Sequence, residues 1–188
     1  MLFKWKKLYI LAEERLEKQR EYIRKIKKDK ISYDNIMDNL NFILDKYDDY
    51  NINMYLYNDQ PYYIVETWVP DIWENDYTIE LHTYKLEQVP VRTSPITELS
   101  AKLRLNDFYE EKTAYIESID TMKELRQGHG SQILKRFIYI AKNIGVSKIK
   151  GKLYIDTPIG IDNLKKFYIK NGFTVRKESF FIVLKEHI

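Results

Sequence analysis

Arg126-Gln-Gly128-His-Gly130-Ser131 joins two unlike patterns. Before it runs Thr113-Ala-Tyr-Ile-Glu-Ser-Ile119, an apolar segment that predicts a strand; after it Ile133, Leu134, Phe137, Ile138, Ala141 and Ile144 recur at helical spacing. A strand therefore feeds a glycine turn that feeds a helix. Glycines at such a turn let backbone approach a ligand without Cβ interference, and the free N–H groups at the positive end of the helix favour an anion. The expected guest is a phosphate or pyrophosphate.

Elimination narrows the phosphate ligand. A Walker loop needs a glycine, four residues and then Gly-Lys-Ser/Thr, and the chain has no such string. The dinucleotide fingerprint wants a third glycine where Ile133 stands, and no βαβ unit carries an acidic residue at the matching distance.

Leu125-Arg-Gln-Gly128-His-Gly130 resembles the Arg/Gln-x-x-Gly-x-Gly/Ala signature of the GNAT superfamily of acyl-CoA N-acyltransferases. The likeness continues past the turn. Gly145 closes the helix, Lys148 to Ile155 reads as a strand, and Asn163-Leu-Lys-Lys-Phe-Tyr168-Ile-Lys-Asn-Gly172-Phe173 is similar to the family's second helix, which ends in Tyr-x-x-x-Gly-Phe. Leu99 to Asn106 and Thr113 to Asp120 would be the family's central hairpin. The resemblance spans the C-terminal half and fades before Leu99. Leu125 occupies the signature's leading Arg/Gln position, with Arg126 one place later. Ile161 stands where the family often has an asparagine, and Asn163 lies closer to the tyrosine.

The resemblance implies acetyl-CoA as cosubstrate and direct attack by an amine, with no covalent enzyme intermediate. The pyrophosphate would rest on the N–H groups of Gln127, Gly128, His129, Gly130 and Ser131, with Arg126, Lys135 and Arg136 adding charge and Asn163 as a further contact. The pantetheine arm would bond to a strand edge through the backbone of Ile119 and Asp120, wedged where two strands part after Ile119. Tyr168 would be the acid: a phenol with a reference pKa near ~10 stays protonated at neutral pH and can donate to a thiolate whose conjugate acid lies near ~8.5. Glu117 would be the base, because alternation along the strand puts Tyr115, Glu117 and Ile119 on one face; Glu110, Glu111 and Glu66 are substitutes. Against these stand plainer roles. Tyr168 is one of 16 tyrosines, and Glu117 could simply pair with Lys102 or Arg104. His129 occupies the signature's variable position, where only a backbone N–H is needed.

Composition agrees with a cytoplasmic enzyme. The chain has 188 residues, 44% hydrophobic and 31% charged, enough for one domain with a sizeable core. It has no cysteine, which removes disulfides, thiolate metal clusters and a cysteine nucleophile; His82, His129 and His187 are scattered, so a metal site is not expected. No apolar run approaches the roughly 20 residues of a membrane span, and the basic start runs into Glu13, Glu14 and Glu17 without a cleavable apolar core. Net charge is +3, but unevenly spread: 11 basic and 5 acidic residues in 1–30, 6 and 18 in 31–120, 14 and 5 in 121–188. An acidic middle beside a basic C-terminal third suits a polyanionic cosubstrate and a cationic amine, though solvated surface faces would give the same count.

Trp5, Tyr9, Ala12, Leu16, Ile23 and Ile26 form an apolar stripe that predicts a long amphipathic helix. Ser32 or Asp34 can cap a second helix with Ile36, Leu40, Ile43, Leu44 and Tyr47 on its face, ended by Asp48-Asp49. The pair would cover one face of the sheet. Strands follow at Ile52 to Tyr57, Tyr62 to Trp68 and Tyr77 to Leu86, with a turn at Asn58-Asp-Gln-Pro61 and loops over 89–95 and 106–111. The expectation is an α/β (α+β) fold with a mixed, largely antiparallel central sheet, helices on both faces and an N-terminal helix pair. One domain spans 1–188: helix pair 1–50, β-rich acceptor side 51–98, acyl-CoA core 99–188. The acceptor would be a small cationic amine or an amine of a protein or RNA. A rival reading is a non-catalytic CoA-binding module, or one that binds protein or nucleic acid through Lys4 to Lys30; the glutamates interleaved there argue against nucleic acid. The aromatic content is compatible with a homodimer.

Overall fold

The first 60 residues contain neither glycine nor proline, so no backbone chemistry interrupts a helix once it starts. The structure, a computed structural model, describes residues 2–46, 50–71, 76–86, 95–105, 111–154 and 159–184. The N-terminal segment forms one helix, α1 (Leu2–Lys46), where the sequence reading expects a pair. Ser32 and Asp34 lie inside α1 as ordinary helical residues, at a cost of about 0.5 kcal/mol each relative to alanine. Asn39 and Ile43 are buried, whereas Ile23 and Ile26 of the expected stripe are about half exposed. The side chains of Trp5, Tyr9, Ala12, Leu16 and Tyr47 lie outside the described residues. Among the described residues no helix is long and apolar enough to cross a membrane. The chain divides into two compact units, residues 1–46 with 86–91 and residues 47–85 with 92–188.

The second unit is an eight-stranded sheet with two helices. In chain order it contains β1 (Asn51–Tyr57), β2 (Gln60–Asp71), β3 (Asp76–Lys85), β4 (Thr97–Arg104), β5 (Thr113–Thr121), α2 (His129–Asn143), β6 (Lys148–Lys152), α3 (Ile161–Lys170), β7 (Thr174–Arg176) and β8 (Ser179–Val183). The spatial order is β1-β2-β3-β4-β5-β6-β8-β7. Every neighbouring pair is antiparallel except β5 with β6, so the sheet is mixed and largely antiparallel, as the sequence reading expects. Asn58 and Asp59 both take positive φ (48° and 59°) between the paired residues Tyr57 and Gln60, a two-residue turn of the type that matches strand twist. The loops expected at 89–95 and 106–111 lie largely outside the described residues.

Alternation builds the core. Ile79, Leu81 and Thr83 of β3 and Thr97, Leu99, Ala101 and Leu103 of β4 are buried, while their even-numbered neighbours from Thr78 and Glu98 onward are not. The helix α2 packs on β3, β4 and β5, and α3 packs on β7. Phe137, fully buried in α2, adds about 1.5–3 kcal/mol by leaving water.

One irregularity shapes the site. Ala101 pairs with Ile116 but Ser100 pairs with Ser118, so Glu117 is an extra residue in β5. Such a bulge bends a strand and raises its twist. The parallel pairing of β5 with β6 runs from Thr113 to Ile116 and stops there. The strands therefore part at the bulge, three residues earlier than the expected point after Ile119. Beyond it, among the described residues, Ser118 to Thr121 pair only with β4.

Candidate functional site

The turn after β5 is built from left-handed backbone. Glu124, Arg126 and Gly128 have φ of 53°, 64° and 87°, and α2 then starts at His129 without a side-chain cap. Gln127 N–H bonds to Glu124 O (3.3 Å), while Ser131 and Gln132 N–H both bond to Gly128 O (3.0 and 3.1 Å). The N–H groups of Gly128, His129 and Gly130 have no carbonyl partner among the described residues. The expected cradle of five N–H groups is thus narrowed to its middle three, at the positive end of a 15-residue helix.

The two glycines serve different ends. Gly128 supplies a left-handed conformation, and a Cβ there would sit 3.5 Å from the Tyr57 ring. Gly130 has ordinary φ, but its Cβ would lie 3.4 Å from the Phe167 ring and 3.6 Å from Thr121 Oγ1. α3 therefore lies at ordinary contact distance from this position. Asn171 secures that approach: its amide donates to Ser131 Oγ (3.2 Å) and to Phe167 O (2.8 Å).

Of the cations expected near the turn, Arg126 is exposed beside it. Arg136 is not available there. Its Nη2 bonds to Glu66 Oε2 at 3.1 Å, and Glu66 also accepts from Trp68 Nε1 at 2.7 Å. Lys135 and Arg136 are about 10 Å along α2 from its start, and with Asn53, Tyr55, Ile64, Gln132 and Tyr139 they line a cleft of about 360 Å³ over β1 and β2. That engagement also removes Glu66 as a free substitute base. Glu110 lies outside the described residues, and Glu111 is exposed ahead of β5.

The bulge rearranges the faces of β5. Ile116 and Ile119 pair with Ala101 and Leu99, both of the buried face, while Tyr115, Ser118 and Asp120 pair with Lys102, Ser100 and Glu98 of the other. The expected common face of Tyr115, Glu117 and Ile119 does not exist, because the inserted residue shifts alternation by one. Glu117 accepts from Ser100 Oγ (3.3 Å) and pairs with Lys102 Nζ (3.7 Å) on the exposed surface. Asp120 falls in a ladder row with Glu98 and His82.

Tyr168 comes from α3 and is buried, its ring stacked on Phe180 at 3.6 Å with Phe173 edge-on at 5.6 Å. Burial first, and then the charge of Asp120, push its phenol well above the ordinary range. It stays protonated at neutral pH. Gly151 makes the stack possible, since a Cβ there would run into the Phe180 ring. Asn163 is exposed in the first turn of α3, where its amide donates to Ile159 O at 2.8 Å.

The His129 imidazole turns away from the exposed cradle. It is 1% exposed, with Nδ1 2.9 Å from Tyr55 Oη and Nε2 3.0 Å from Glu124 Oε2. Tyr55, Tyr62, Glu124, Asn171 and Gly151 carry no role in the sequence reading.

The second unit is thus a mixed α/β structure in which, among the described residues, one parallel strand pair opens beside the glycine turn. No protein-family model matches the chain, and no curated protein does. Solved structures do match. The NatC complex bound to Gag peptide and CoA is 12% identical at a TM-score of 0.47, over 56% of this chain and 71% of that one. Arabidopsis thaliana Naa50 in complex with the bisubstrate analogue CoA-Ac-MVNAL is 13% identical at 0.45, over 56% and 72%. An acetyltransferase of the GNAT family from Staphylococcus aureus Mu50 is 15% identical at 0.40, over 57% and 68%.

Proposed function

We propose that the protein is a GNAT-type N-acyltransferase that moves an acetyl group from acetyl-CoA to a primary amine by direct attack. The observation that carries the reading is continuity: the strand edge that no described residue pairs from Ser118 to Thr121 leads within seven residues to the N–H groups of Gly128 to Gly130, which have no carbonyl partner among the described residues. An extended, amide-rich arm can pair with the first and its pyrophosphate can rest on the second. Ile119 and Asp120 would supply backbone contacts, and Arg126 an exposed cation.

In the transfer, the amine nitrogen forms a bond to the thioester carbonyl carbon, the C–S bond breaks, and sulfur leaves with the electron pair. Tyr168, on α3 and kept protonated by burial, is the candidate acid for that sulfur. The base takes the amine's proton. Glu117 sits in the bulge where the strands part, and Glu98 and Asp120 face each other beyond the Ser100–Ser118 and Leu99–Ile119 rows of the same strand pair. Like charges directly opposite are unfavourable until a cation lies between them, which supports a cationic amine as acceptor.

The test is release of free CoA thiol from acetyl-CoA with polyamines, amino sugars and peptides bearing a free N-terminus. The reading expects saturable release with at least one amine class. CoA binding without release in any case would favour the non-catalytic module, and no binding of CoA would remove both.

A further inference from the structure

The side chains beneath the turn form a closed network that the transfer chemistry leaves unused. Glu124 Oε2 accepts from Tyr62 Oη (2.9 Å) and meets His129 Nε2 (3.0 Å), its Oε1 lies 3.6 Å from Lys85 Nζ, and His129 Nδ1 meets Tyr55 Oη at 2.9 Å. Tyr55 and Tyr62 stack at 5.4 Å between ring centres, and the Tyr62 and Tyr57 rings lie 4.6 and 5.4 Å from the imidazole. Both tyrosines that bond into the network belong to the β1–β2 hairpin, at directly paired positions.

An ionised carboxylate only accepts, so Nε2 donates to Glu124; in the Nε2–H tautomer Nδ1 accepts from the Tyr55 hydroxyl. Glu124 itself is one of the left-handed residues of the turn, and His129 is the first residue of α2. L-residues persist in that conformation when their surroundings hold them there. Two side chains anchored in the sheet thus grip the turn at both ends of its strained segment.

We infer that Tyr55, Tyr62, Glu124 and the His129 side chain are positioning residues for the anion turn. They hold residues 122–128 so that the N–H groups of Gly128, His129 and Gly130 face outward before a ligand arrives, and they make affinity for the phosphate depend on the β1–β2 hairpin. The inference rests on the acyl-CoA reading for the identity of the ligand but not for the existence of the grip.

Four readouts on the full chain test it, with Tyr55→Phe, Glu124→Gln and the double variant set beside the unsubstituted chain. Calorimetric titration with CoA should show each single substitution weakening affinity about tenfold, with the double variant little worse than the poorer single, as expected of links in one chain. Thermal midpoints without ligand should fall by less than about 5 °C. Amide exchange at Ser131 and Gln132, whose N–H groups close the turn onto Gly128 O, should quicken in the variants while Leu99 and Leu103 stay protected. Nitrogen-15 shifts of the His129 ring should show the Nε2–H tautomer. Unchanged CoA affinity with a lowered midpoint would overturn the inference and leave a structural cluster. Should the unsubstituted chain bind no CoA, the acyltransferase reading fails by itself. Unchanged exchange at Ser131 and Gln132 would then sink the grip, and faster exchange would uphold it.

Discussion

The two halves of β5 make the most instructive contrast in the molecule. From Thr113 to Ile116 the strand is paired on both edges, and Ala114 and Ile116 are buried. From Glu117 to Thr121 it keeps only β4, and its residues are half-buried or exposed. One extra residue separates a core strand from an open one. A bulge costs the fold little more than a few ladder bonds, yet it frees a run of backbone groups next to the anion turn. On the proposed function, stability and binding fall to adjacent stretches of one strand, and substitutions should tell them apart.

The largest effect should come from the paired half. Ile116→Ala should lower stability by about 3 kcal/mol in urea unfolding, while Ile119→Ala, half-buried past the bulge, should cost about 1 kcal/mol. Equal losses would dissolve the contrast. Gly128→Ala with Gly130→Ala should cut CoA affinity at least about a hundredfold, or about 2.7 kcal/mol, since a Cβ at 128 strains a left-handed backbone and both methyls crowd the N–H groups that would meet the pyrophosphate. Normal CoA binding by that variant would show that the turn is not the cradle. Tyr168→Phe should spare CoA binding and slow turnover about tenfold or more, some 1.4 kcal/mol; full activity would return the acid's role to water.

The smallest effect is in pH. Burial alone would raise the Glu124 carboxyl, but the Tyr62 and His129 hydrogen bonds and the Lys85 charge outweigh it and hold the group below its ordinary value. A carboxyl depressed in the folded state adds stability that is present above its unfolded pKa and lost as pH falls through the folded one. The gap in stability between the unsubstituted chain and Glu124→Gln, under about 1 kcal/mol at pH 7, should therefore close below about pH 4. A gap that widens with acid would mean that the carboxyl is raised instead.

The turn, α2 and the β1–β2 hairpin are legible in sequence because each carries a local signal: paired glycines, a helical period, and Asn58-Asp59 between strands. The helix pair is a different matter. Polar residues at 32 and 34 suggest a cap, but without glycine or proline nothing forces the chain to stop. The bulge leaves a trace that alternation hides, since Ile116 and Ile119 stand three apart where a regular strand would place two. Contacts such as Arg136 with Glu66 or Asn171 with Ser131 depend on distant elements meeting, and no spacing announces them. The network under the turn lies between these extremes. Once Tyr57 is set opposite Gln60, Tyr55 falls opposite Tyr62, but that a histidine seventy residues on descends between them is a property of the folded sheet.

Amide exchange with and without saturating CoA tests the central claim most directly. The account predicts that CoA slows exchange at Ser118 to Thr121 and at Gly128 to Gly130. Protection confined to other segments, or no protection at CoA concentrations up to the millimolar range, would contradict it.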